Sequence, residues 1–166
     1  MSIVTQPLRD EHKELLPHIE ALKAAADSVE PGRPLAPEVR AAHEFLSQHL
    51  LAHAMAEEEA LYPVVARVMG APKATATMSR DHEEVKRLTA ELGGLLTAGP
   101  VSEAAARDLR RVLYGLYALV RLHFHKEEDV YLPLLDASLS EAEARAMFEA
   151  MEAAAGRAKA ALAAGR

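Results

Sequence analysis

Two segments of the sequence pair histidine with acidic residues at the same spacing. Residues 53–63 read HAMAEEEALYP and residues 123–133 read HFHKEEDVYLP. In each segment a Glu follows a His by four residues, and on a helix this spacing stacks the imidazole and the carboxylate on one face, one turn apart. Nitrogen and oxygen donors placed together in this way are typical of a site for iron, manganese or zinc.

The two segments belong to a longer repeat, in which residues of the first copy match residues of the second at a constant separation along the chain. We call this separation, which is that of His12 from His82, the repeat offset. This repeat offset needs no gap and superposes three chemically matched pairs: His12 and His82, His53 and His123, and Glu57 and Glu127. The simplest explanation is an internal duplication of a two-helix unit, whose copies would be related by a pseudo-twofold axis.

The rest of the sequence predicts helices that would position these residues. Ala, Leu, Glu, Arg and Lys dominate the composition, which favours an all-α protein. Apolar residues recur at steps of three and four in five segments separated by Gly- and Pro-rich breakers. The predicted helices are roughly 6–29, 37–68, 73–97, 102–135 and 140–164.

Short loops between long helices predict an up-down-up-down four-helix bundle. We expect residues 1–136 to form this bundle around a dinuclear metal site, and residues 137–166 to form a C-terminal helix that packs on it. Pro17 predicts a kink in the first helix, and Pro63 and Pro133 should each bend or stop their helix just past the acids.

The six repeated residues fall on the apolar stripes of their helices and should point inward. In the fourth helix, for example, His123 and Glu127 are in step with Val120 and Val130. Two buried carboxylates are costly unless they are paired. Four imidazoles and two bridging carboxylates would hold two metal ions and leave positions for a bridging oxo or hydroxo group and an external ligand.

Three further residues are candidates for an extra ligand or for a group that orients a ligand. His49 lies four residues before His53 on the same face, so it either supplies a fifth imidazole or covers the site as a polar group. Tyr131 is one turn after Glu127 and either reaches the centre or packs in the core. Glu58, which repeats as Glu128, points a quarter-turn away and favours a solvated charge over a ligand.

The order His12, His53–Glu57, His82 and His123–Glu127 resembles the hemerythrin-like family, also called the HHE cation-binding domain, over roughly residues 5–136. The resemblance implies a non-haem di-iron centre bridged by the two glutamates and a solvent oxygen. The sequence departs from the oxygen carriers of that family. Lys86 stands where they have a further histidine, and the last motif is HxxxE instead of HxxxxD. These departures favour redox chemistry with O2, peroxide or NO, or iron sensing, over reversible O2 transport.

Composition excludes several other functions. The net charge of −6 provides no basic stripe for nucleic acid, and the absence of cysteine excludes thiolate chemistry and iron–sulfur clusters. The N-terminal residues turn polar too soon for a signal peptide, and no stretch has the length of a membrane span, so we expect a cytoplasmic protein without a membrane partner.

Three functions remain open at this point. The first is a di-iron oxidoreductase that acts on peroxide or O2. The second is a sensor of O2, NO or iron, or an iron-handling module, without turnover. The third is a scaffold that holds zinc or no metal. The sequence does not identify a substrate, an electron donor or an oligomeric state.

Overall fold

The computed structural model describes residues 3–165, and the regular structure in this range is helical, which confirms the all-α class. We number five helices along the chain. They are α1 (Gln6–Asp27), α2 (residues 37–69), α3 (Ala76–Leu95), α4 (residues 103–138) and α5 (Glu141–Ala164).

The helix ends follow from local sequence. Pro37 lies in the first turn of α2, where its missing N–H costs no helical hydrogen bond. Gly70 ends α2 in the left-handed conformation with φ of 61°, which glycine adopts without a Cβ clash. Ser102 caps α4 by accepting a hydrogen bond from the N–H of Ala105. Ser140 and Glu143 form the capping box that begins α5.

Each motif helix contains a wider π-helical turn directly after its motif. The turns cover Glu57–Leu61 in α2 and Glu127–Tyr131 in α4, and α2 has another at Leu46–Leu50. Pro63 and Pro133 follow two of these turns. Because proline has no backbone N–H, each removes one α-helical hydrogen bond, and the wider turn accommodates this loss. The prolines therefore do not stop their helices, which continue to Met69 and Ser138. Pro17 likewise lies inside α1.

Contacts along α4 show the direction of its two neighbours. Arg9, near the start of α1, pairs with Glu128, and Asp27, at the end of α1, accepts a hydrogen bond from Tyr114. Helix α3 is also antiparallel to α4, because Asp81 pairs with Lys126 and the later residue Glu91 pairs with the earlier residue Arg111.

The core consists of two apolar clusters with the polar motif residues between them. One cluster, around Ile19, Leu22, Leu92 and Leu109, lies towards the end of α1. The other, around Leu8, Leu61, Met78 and Leu132, includes residues of α5. His12 comes between Leu8 of the second cluster and Ile19 of the first along α1, so the motif level is sealed by apolar residues above and below.

Helix α5 packs against the middle of α2, around segments Leu51–Ala56 and Glu57–Leu61. Met147, Met151 and Ala154 are buried there, and Phe148 is half-buried. Burial of each Met contributes on the order of 2 kcal/mol. Across residues 3–165, no helix combines the length and the apolar character that crossing a bilayer requires.

Candidate metal centre

The structure brings the six repeated residues together at one level of the bundle. His12 comes from α1, His82 from α3, and each of α2 and α4 supplies one His and one Glu. Both glutamates are completely buried, at 0% exposure, and His82 is the most exposed of the four imidazoles. All six side chains therefore point into the bundle, where helical spacing had placed them.

Glu57 lies at the centre of this cluster. Its Oε1 is 2.9 Å from His53 Nε2 and 3.8 Å from His12 Nε2, and its Oε2 is 3.2 Å from His82 Nε2. The donor atoms form two groups, each within 4.8 Å, and both groups contain Glu57: one with His12 and His53, the other with His82 and His123.

Glu127 also spans both groups. Its Oε2 is 3.5 Å from His12 Nε2, and its Oε1 is 3.4 Å from His123 Nε2. Each carboxylate therefore has one oxygen directed at each half of the cluster, which is the arrangement that two bridging carboxylates require.

Several buried atoms of the cluster have no hydrogen-bond partner within residues 3–165. They are His12 Nε2, His53 Nε2, both oxygens of Glu57 and Glu127 Oε2. Buried polar atoms are normally paired, and an unpaired one costs a few kcal/mol. These atoms face one another, and the neighbouring Nε2 atoms of His82 and His123 are 2.9 Å apart. Imidazole nitrogens and carboxylate oxygens that converge in this way fit cations of the iron, manganese or zinc type.

The charges within the cluster are strongly coupled. Burial by itself would raise the pKa of Glu57, but the positive charge of His53 and the adjacent imidazoles of His12 and His123 hold that pKa well below its usual range. Burial opposes protonation of His53 and His123 too, yet Glu57 and Glu11 raise the pKa of His53 well above normal, and Glu127 and Glu57 raise that of His123 to about 10. The carboxylates thus stabilise positive charge at the centre, whether it comes from protons or from metal ions.

A second layer of carboxylates orients the four imidazoles. In each case a carboxylate oxygen accepts a hydrogen bond from Nδ1, which leaves Nε2 directed inward. The pairs are His12 with Glu128 (2.8 Å), His53 with Glu11 (3.0 Å), His82 with Glu58 (2.7 Å) and His123 with Asp81 (3.1 Å).

The structure agrees with the orienting alternative for Glu58 and its repeat Glu128. Glu58 stays exposed, as a solvated charge would be, but both carboxylates also accept a hydrogen bond from a histidine of the cluster. Glu11 and Asp81 were not predicted at all, although the repeat offset superposes them and each directly precedes a motif histidine.

Tyr62 is the other residue at the centre that the sequence did not indicate. Its hydroxyl donates to Glu127 Oε1 at 2.9 Å and lies 3.2 Å from His123 Nε2 and 3.4 Å from His82 Nε2. Burial and the neighbouring carboxylates raise the pKa of Tyr62 far above its usual value. Because Leu132 occupies the equivalent position in the other half, the repeat gave no signal for a tyrosine there.

Two predicted extra residues lie elsewhere. His49 is exposed on the π-helical turn Leu46–Leu50, where its ring faces Phe45 at 6.4 Å between centroids. That turn breaks the four-residue step on which its inward position had been based. Tyr131 is buried, but its hydroxyl donates to the carbonyl of Ala74, which agrees with the packed alternative.

The comparisons with known proteins agree with this geometry. The fold and the six-residue cluster define a helical metal-binding domain. The family model of the hemerythrin HHE cation-binding domain matches residues 4–135, and the chain belongs to this family. Neither the curated proteins nor the solved structures gave a match to the chain.

Proposed function

We propose that the bundle holds two iron ions and reacts with O2, peroxide or NO at their open positions, as an oxidoreductase of the peroxide-detoxifying type. The observation that carries this proposal is the set of buried, unpartnered nitrogen and oxygen atoms that face one another between the helices. Family membership supports a cation at this place.

The donors divide naturally between two ions. His12 and His53 would hold one, His82 and His123 the other, and Glu57 and Glu127 would bridge them. Iron would supply the one-electron redox steps. Manganese or zinc would fit the same donor types, but zinc has no redox chemistry, and the family to which the chain belongs favours iron over manganese.

The protein's own residues would control access and orientation at this centre. The outer carboxylates fix the rings so that Nε2 faces the metals. Tyr62 is the residue that can present a proton near the His82 and His123 half, since its hydroxyl lies within 3.4 Å of both rings. On the other half, Phe124 stacks on His12 at 4.2 Å between centroids and covers one face of that ring.

We also propose the finer architecture on the same basis. Residues 1–136 would be an up-down-up-down bundle that arose by duplication, since contacts such as His82–Glu58 and His12–Glu128 are equivalent under the repeat offset. Residues 137–166 would be an addition outside the duplicated unit. A cytoplasmic location is part of the same proposal.

The decisive experiment is metal analysis of the untagged protein with its near-ultraviolet and visible spectrum. We expect about two irons per chain and oxo-to-iron charge-transfer bands. Peroxide consumption would then be measured with the iron-loaded protein and with Tyr62→Phe, which keeps the ring and removes the hydroxyl. Zinc alone, or no metal after growth in iron-rich medium, would contradict the proposal and favour the scaffold function.

A sensor or iron-handling module is the second candidate. This candidate is favoured because few groups could donate a proton to a bound substrate. Among residues 3–165, the hydroxyl of Tyr62 is the one that hydrogen-bonds to the inner cluster. Bound iron without peroxide turnover, together with reversible binding of O2 or NO, would establish this candidate over the first.

A further inference from the structure

Two surface cavities are related by the same repeat offset. The α1–α4 cavity, of about 340 Å³, lies outside His12 and is lined by Arg9, Lys13, Leu16, Arg121, Phe124 and Glu128, among others. The α2–α3 cavity, of about 390 Å³, lies outside His82. Each lining residue of the first cavity has its repeat partner in the lining of the second. The residues that differ between the two cavities can therefore be compared position by position.

The two cavities carry different charges. The α1–α4 cavity is lined by three cations, Arg9, Lys13 and Arg121, and by one carboxylate, Glu128. In the α2–α3 cavity Glu83 replaces Lys13 and Leu51 replaces Arg121, so that two carboxylates face the single cation Lys86. The α2–α3 cavity is also lined by Leu162 of α5, whereas α5 contributes nothing to the lining of the α1–α4 cavity.

Two of the three cations are held less firmly than the third. Arg9 is fixed by Glu128 at 2.7 Å and by Asp136 at 3.2 Å. Lys13 forms an exposed ion pair with Asp10 at 3.2 Å, and Arg121 forms one with Glu20 at 3.3 Å and donates to the hydroxyl of Tyr117 at 2.7 Å. Such pairs contribute little to stability, and these two cations lie on opposite walls, one on α1 and one on α4.

The interior of the α1–α4 cavity is mainly apolar. Phe124 and Leu16 contribute its apolar surface, and Leu16 remains 43% exposed although it is a large aliphatic side chain. A concave apolar surface with a few converging charges, in a volume above about 300 Å³, is the usual form of a small-molecule site.

We propose that the α1–α4 cavity binds a small amphipathic carboxylate. The apolar body covers Leu16 and Phe124, and the carboxylate is held between Lys13 and Arg121. The cavity reaches His12, but the residues that would hold the ligand, Lys13, Leu16, Arg121 and Phe124, are not among the six that would hold the metals. The proposal therefore goes beyond the proposed function and stands or falls separately.

The test is calorimetric titration of the purified, metal-loaded protein with octanoate, octylamine and octanol. We expect octanoate to bind at one site per chain, at least about tenfold more tightly than the other two probes. In the double variant Lys13→Glu/Arg121→Leu, which reproduces the residues of the α2–α3 cavity, octanoate affinity should fall at least about tenfold. The matched control Glu83→Gln changes charge in the α2–α3 cavity and should leave octanoate affinity unchanged.

Other results overturn the proposal. Equal affinity for octanoate and octylamine would mean that Lys13 and Arg121 do not favour a carboxylate over an amine. Octanoate binding that survives in the double variant would place the ligand elsewhere, including directly on a metal. No octanoate binding at all would mean that the cavity has no such occupant. Circular dichroism of the double variant excludes misfolding as the cause of lost binding, since both changes are on the surface.

Discussion

Glu58 shows how one residue outside the inner cluster can orient a histidine of that cluster. Its Oε1 accepts a hydrogen bond from Nδ1 of His82 at 2.7 Å, which fixes the ring and increases the basicity of Nε2. We predict that Glu58→Ala lowers metal affinity by about 10–100-fold, because the ring loses its orienting partner. Chelator competition on the iron-loaded variant would measure this loss.

The neighbouring residue Glu59 supplies the control for this experiment. It is exposed and pairs only with Arg157 on α5, so Glu59→Ala removes the same charge without touching a histidine. Its metal affinity should equal that of the wild type. If both variants weakened metal binding equally, the effect would be one of overall charge, and the orienting role of Glu58 would be wrong.

At the residue scale, the sequence predicted the six inner residues and missed Tyr62 and Glu11. The six inner residues form three repeated pairs, so their inward position could be inferred from helical spacing. Tyr62 occurs once, opposite Leu132, and only the folded contacts reveal it. Glu11 does repeat as Asp81, but its partner His53 is on another helix, which spacing along one helix cannot show.

At the scale of the helices, the π-helical turns explain why some residues were predicted to face inward but do not. Val130 was predicted to face inward three residues after Glu127, but it is 55% exposed. The turn Glu127–Tyr131 is wider than an α-helical one, so the next inward position moves towards Tyr131, which is buried. A period of 3.6 residues cannot anticipate such turns. The helix boundaries were nevertheless predicted to within three residues, since Pro, Gly and Ser mark them locally.

The capping box of α5 leads to a prediction about this helix. Ser140→Ala removes the side chain that accepts from the N–H of Glu143, and we expect it to cost about 1 kcal/mol. For a chain of this size the melting temperature should fall by about 2–4 °C. Thermal unfolding followed by circular dichroism would show it. Ser138→Ala, two residues earlier and exposed, is the matched control and should cause no loss.

The effect of Ser140→Ala should also depend on pH. Hydrogen bonds from the backbone and side chain of Ser140 lower the pKa of Glu143 below its ordinary value of 4.5. A lowered carboxyl pKa gives stability that is fully present above that ordinary value and is lost as the pH falls through the lowered one. The difference between variant and wild type should therefore shrink in acid. A difference that grows in acid would contradict a role for the ionised carboxylate.

For the whole molecule, the metal centre joins the four helices that carry the motif. Each of α1, α2, α3 and α4 supplies at least one inner residue, and the cluster separates the two apolar clusters of the core. Without a cation the buried oxygens of Glu57 keep no hydrogen-bond partner within residues 3–165. Metal binding is therefore coupled to the stability of the entire bundle, because the unfolded chain offers no preformed site.

Removal of the metal should destabilise the folded chain as a unit. A metal present at about 1,000 times its dissociation constant adds about 4 kcal/mol, which corresponds to a rise in melting temperature of about 10 °C. Differential scanning calorimetry of the isolated, chelator-stripped and reconstituted protein should show a single transition that falls and then recovers. Glu57→Gln keeps the shape but lacks the shared charge, so its melting temperature should respond much less to iron. If the wild type melts at the same temperature with and without metal, the cluster is a buried polar network in a scaffold, and the cation contributes nothing to the fold.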